Sequence, residues 1–134
     1  MKIDMEVYVA DTHGLVWFIT EDDRLSEHAK RLFEQAENAE IQVLIPTIVL
    51  AETAYIAQKK RTKVTIDEGL EFIDQGSGFA IVPFDFSIFQ IMLQLPNDWE
   101  IHDRIIGSTT RYYKATLITK DMVLRNSEEA KTTW

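Results

Sequence analysis

Apolar positions change their period repeatedly along this chain, and each change marks an element. Residues 6–10, EVYVA, are mostly β-branched or aromatic and end at an Asp-Thr pair, the pattern of a short buried strand. From 12 to 20 the apolar spacing becomes helical, and Ser26 opens a second helix in which Leu25, Ala29, Leu32, Phe33 and Ala36 recur on one face. Residues 41–45 predict a second strand; Pro46 and Thr47 mark a turn and helix start, and 48–60 continue as a mostly apolar helix. A helix over 65–74 is broken by the glycines at 76 and 78, and 79–82 form a third strand ending at Pro83. Helices follow over 85–95, stopped by Pro96, and over 103–113. Residues 115–119 are a fourth strand leading into Lys120 and Asp121, and 131–134 predict a short edge strand. Such alternation calls for an α/β protein: a three-layer α/β/α sandwich around a mostly parallel central sheet of four to five strands. Ligands of these sheets sit at the carboxyl ends of the strands.

No linker, low-complexity tract or internal repeat divides the 134 residues, so residues 1–134 are expected to form a single domain. The absence of cysteine excludes disulfides, thiolate metal sites and cysteine nucleophiles, and fits a reducing compartment. Two acids among the first six residues stand where an export leader needs a basic start, and no uncharged run reaches the ~20 residues of a membrane span. The expected location is the cytoplasm, without membrane contact. A net charge of -8 argues against holding nucleic acid by a broad positive field and suits divalent cations or a basic protein partner.

Against this background four carboxylates stand out by their apolar company. Asp11 is the only formally charged residue between positions 7 and 20, at the end of the first strand. Glu52 is the only one between 43 and 58, with Ile48, Tyr55 and Ile56 on the same side of its helix and no basic residue at i±3 or i±4. Asp121 follows the fourth strand, so in a parallel sheet it emerges at the same edge as Asp11. Asp103 opens a helix whose Gly107 and Thr110 would allow close approach to the sheet. A carboxylate in low dielectric is costly unless paired, hydrogen-bonded or bound to a cation. Each position also has a plain structural alternative: Asp11 and Asp103 as helix N-caps, Asp121 as a turn residue. Glu52 has the weakest one, so its compensation must come from elsewhere in the fold or from a metal.

These segments in this order resemble the PIN-domain nucleases, in particular the VapC-type toxins of bacterial toxin-antitoxin pairs. The resemblance rests on VADTHGLVW at 9–17, RLSEHA at 24–29, PTIVLAETAY at 46–55, HDRII at 102–106 and LITKD at 117–121. It implies a PIN-like fold and an endoribonuclease that hydrolyses RNA phosphodiesters with Mg²⁺, for which Mn²⁺ can substitute. Asp11 and Asp103 would be direct ligands, with Asp121 and Glu52 acting through water or completing a second site. Thr12 and Thr119 are candidates to hydrogen-bond a ligand oxygen. Glu100 stands near the place where the family often has a further Asp, and is a candidate for contact through water only. The resemblance further implies a cognate antitoxin and a homodimer.

Lys59, Lys60 and Arg61, with Lys63, are the one basic cluster, read either as a helix C-terminus favouring cations or as an RNA contact. His13 beside a helix start reads as structural rather than catalytic. The apolar excess at Leu15, Trp17 and Phe18 reads first as core and second as a partner groove. Two rival functions stay open: a PIN nuclease of RNA processing outside any toxin pair, and a non-catalytic binding module of the same fold. An aspartate-nucleophile phosphatase is set aside because His13 stands where its second Asp would be.

Overall fold

The computed structural model describes residues 5–59, 66–75 and 78–134. Its elements run β1 (Val7–Ala10), α1 (Thr12–Ile19), α2 (Glu27–Glu37), β2 (Gln42–Pro46), α3 (Thr47–Lys59), α4 (Ile66–Gln75), β3 (Phe79–Val82), α5 (Phe86–Met92), α6 (Ile101–Tyr112), β4 (Thr116–Ile118), α7 (Met122–Arg125) and β5 (Thr132–Thr133). The five strands form one sheet in the order β3-β2-β1-β4-β5, and every pair is parallel. The expected α/β sandwich with a parallel sheet is therefore the observed one, including the edge strand near the C-terminus. Right-handed crossovers place the helices between β1 and β3 on one face and those after β3 on the other.

Both faces of the sheet are covered, which is why the strands read as apolar runs rather than alternating ones. Val9, Val43, Ile45, Leu117 and Ile118 are fully buried, as are Leu15 of α1, Phe33 of α2, Val49 of α3 and Leu124 of α7. Each such side chain contributes about 1.5–3 kcal/mol by leaving water. The start of α2 follows its sequence signal, with the Ser26 hydroxyl accepting the Ala29 amide at 3.0 Å. Gly78 carries the turn into β3, and a Cβ there would lie 2.3 Å from the Ala36 carbonyl oxygen and 2.5 Å from that of Ile41. Because both neighbours are backbone, Gly78→Ala is expected to destabilise the fold by about 2–3 kcal/mol, read as a lowered denaturant midpoint.

Three local expectations are corrected. Helix α6 starts at Ile101 behind Glu100, so Asp103 sits in its first turn and is not its cap. Helix α6 does pack against β1 and β4, but Gly107 is not what brings it there, since it faces the side chains of Leu95, Trp99 and Leu124. Tyr55, expected on a buried side of α3, is 61% exposed, and Glu52 beside it is half-buried. Helix α7 has no counterpart in the sequence reading, because four residues are too few to show a period.

Candidate functional site

Strand order reverses direction at β1, whose neighbours are β2 and β4. A crevice opens at the carboxyl ends of strands on either side of such a switch, and here those ends are Asp11 after β1 and the 119–121 segment after β4. The Asp11 amide donates to the Ile118 carbonyl at 3.3 Å, which closes β1 onto β4 up to the site itself. Asp11 is the cap residue of α1, yet its carboxylate makes no cap hydrogen bond. It turns instead to the fully buried Thr119, whose hydroxyl donates to Asp11 Oδ2 at 2.5 Å and accepts the Asp121 amide at 3.1 Å. One hydroxyl thus fixes two of the acids relative to each other. Asp121 caps α7, with Oδ1 accepting the amides of Val123 at 2.9 Å and Leu124 at 3.2 Å. Its structural alternative is therefore real, and it occupies one of the two carboxylate oxygens.

Glu52 comes from α3. The buried Thr12 hydroxyl at the start of α1 donates to Glu52 Oε1 at 2.8 Å, and His102 Nδ1 lies 3.6 Å from Oε2. The compensation it lacked along its own helix comes from across the fold. His102 Nδ1 also stands 3.9 Å from Glu100 Oε1, so the start of α6 brings Glu100, His102 and Asp103 to the same place. Asp11, Glu52, Glu100, Asp103 and Asp121 all line one open cleft of about 530 Å³.

The electrostatics record this convergence. Burial first, then repulsion from Asp121, Asp11, Glu100 and Glu52, pushes the Asp103 carboxyl up from 3.8 to about 6. Burial also raises Asp11, helped slightly by Asp121 and opposed by the Thr119 hydroxyl, the charge of His13 and the Thr12 amide. Among the described residues no Lys or Arg forms an ion pair with any of these five acids. An all-oxygen set of crowded carboxylates fits a hard divalent cation, which would relieve the repulsion. No three of them form a ready-made chelate among the described residues. The threonines act by orientation: Thr119→Val is expected to lower cation affinity about 10–100-fold, measured by Mn²⁺ titration.

Four residues of the cleft wall were not singled out as site candidates by the sequence reading: Trp17, His102, Ile106 and Lys120. For His102 and Lys120 the signal was their place next to Asp103 and Asp121. Trp17 was read as core, and at 9% exposure it is both core and wall. His13 lines the cleft and rests against Trp17 with ring centroids 5.5 Å apart. Lys59 is exposed in the last turn of α3 and does not line the cleft. Lys60, Arg61 and Lys63 lie outside the described residues.

The chain is thus an α/β protein whose acidic cleft lies at the switch point of a five-stranded parallel sheet, where such folds hold their ligands. Residues 8–128 match the family model of the PIN domain, and the chain belongs to that family of nucleases. Among solved structures, the fold is similar to a FitAcB structure from Neisseria gonorrhoeae, with a TM-score of 0.70 at 18% identity, covering 95% of this chain and 96% of that one. It is similar also to VapBC2 from Rickettsia felis bound to a DNA fragment from their promoter, with a TM-score of 0.69 at 20% identity, covering 95% and 97%. DNA-bound VapBC from Salmonella typhimurium gives 0.68 at 16% identity, covering 96% and 98%. No curated protein matches the sequence.

Proposed function

We propose that the chain is an Mg²⁺- or Mn²⁺-dependent endoribonuclease and the toxin of a toxin-antitoxin pair. The observation that carries the reading is that Asp103 shares one cleft with four other acids from four segments of the chain: Asp11 after β1, Glu52 in α3, Glu100 at the start of α6 and Asp121 after β4. Nothing in a purely structural role requires that crowding. Asp11 and Asp103 are the proposed direct ligands, and Asp121, through the oxygen not used for capping, and Glu52 act through water. When bound, the cation supplies positive charge to a phosphodiester and lowers the pKa of a coordinated water. Thr12 holds Glu52 Oε1, so Oε2, which stands 3.6 Å from His102 Nδ1, is the oxygen that would accept a proton from the attacking water. Thr119 holds Asp11 in place against the repulsion of its neighbours.

The toxin assignment is supported by the likeness to the two VapBC structures and to a structure described as a toxin-antitoxin complex from Klebsiella pneumoniae. An antitoxin is therefore the proposed protein partner and RNA the proposed substrate. A homodimer is the proposed assembly, since Phe86 and Leu93, 70% and 61% exposed, give the α5 region an apolar outer edge for a second copy. No described helix is long and apolar enough to cross a membrane, and the cytoplasm is the proposed location. A PIN nuclease of RNA processing is the second reading, favoured if no small reading frame encoding an antitoxin adjoins the gene.

The test is incubation of the purified chain with total RNA and with single-stranded DNA, in Mn²⁺ and in excess chelator. Cleavage of RNA that the chelator abolishes is the expected result. An inert protein that binds no Mn²⁺ by calorimetry would leave only the binding-module alternative.

A further inference from the structure

The cleft presents a charge problem that a single cation does not solve. Five carboxylates face it, so a bound divalent ion still leaves the wall negative where a polyanion has to enter. Among the described lining residues Lys120 is the one permanently charged base. It forms no ion pair with a described residue, so its charge is free to act on a ligand.

Its position is built. Thr119 before it is fully buried, and the Thr119 hydroxyl ties both Asp11 and the Asp121 amide, so the backbone on either side of Lys120 is held. The side chain leaves this fixed point toward Trp17, and its Nζ stands 5.6 Å from the Trp17 ring centroid. A second cation, Arg24, stands 4.8 Å from the centroid of the same ring and is bound to Asp22 at 2.7 Å. Arg24 is thus committed to structure, while Lys120 rests on an aromatic platform at the edge of the acids. An ammonium so placed is a point charge suited to a phosphate oxygen.

We propose that Lys120 is the substrate-anchoring residue of this site, its Nζ binding a non-bridging oxygen of an RNA phosphate beside the one cleaved. The inference rests on the nuclease reading and adds to it the residue that admits RNA to an acidic cleft.

The test compares wild type with K120M, which keeps the stem and loses the charge, and with K120R, which keeps the charge. Binding of a fluorescent single-stranded RNA is followed by anisotropy across a salt series in Ca²⁺, and cleavage is followed in Mn²⁺. K120M is expected to raise KM about tenfold with kcat within about twofold, and to flatten the slope of log K against log salt by about 0.7, the value for one phosphate contact. K120R is expected to restore both. An unchanged salt slope and KM in K120M, with wild type cutting RNA, would overturn the anchoring role and leave the nuclease reading intact. A wild type that neither binds nor cuts RNA would overturn both. Equal melting temperatures of the three proteins confirm that the exposed substitution reads binding and not folding.

Discussion

Asp11→Asn is expected to lower metal-dependent RNA cleavage by about 10³-fold or more, the equivalent of the several kcal/mol that a correctly held cation contributes to phosphate hydrolysis. The amide keeps the shape and one acceptor oxygen, so the Thr119 hydroxyl can still donate to it and the β1–β4 closure survives. What disappears is the negative charge that draws in the cation. The measurement is initial rate on an RNA oligonucleotide with the melting temperature recorded alongside. Retention of more than about a tenth of the wild-type rate by a folded variant would remove Asp11 from the ligand set.

Asp103→Asn is expected to behave oppositely in two assays: it should abolish cleavage and stabilise the metal-free protein. The folded carboxyl is raised from 3.8 to about 6, so between those pH values the folded state holds a proton that the unfolded state has released. Stability of the wild type therefore falls as pH climbs from about 4 to about 6 and stays lower above that. Asp103 is partly exposed, and with solvent screening the loss is about 1–2 kcal/mol rather than the full shift. Removing it should raise the melting temperature at pH 7 by roughly 4–8 °C for a chain of this size, a gain that vanishes below about pH 4. Mn²⁺ at about a hundred times its Kd should stabilise the wild type by about 2.7 kcal/mol and the variant far less. Identical pH profiles for the two proteins would contradict the electrostatic account of the cleft.

Most of the layered architecture was legible because helical and strand periods alternate cleanly, and the parallel sheet then follows from the connections. The four acids were legible for a related reason: Asp11 and Glu52 interrupt long uncharged stretches, and Asp121 sits two residues past a buried run. Cross-fold partners were not. That Thr12 would serve Glu52, that His102 would approach it from α6, and that Thr119 would bridge Asp11 and Asp121 depends on packing between segments tens of residues apart. Asp103 was misplaced as a helix start because Glu100 and Asp103 are both reasonable near a helix N-terminus, and only packing decides between them. Lys120 was overlooked because a lysine after a strand usually points to water; its meaning depends on Trp17, which comes from α1.

The bond between Asp11 and Thr119 joins residues 108 positions apart, and β1 has no partner on that side until β4 docks. Contacts of such long reach form only after the intervening chain is available. A ribosome making this protein therefore has to release the chain past residue 119 before the acidic cleft can close. Until then Asp11 lacks the buried hydroxyl that orients it.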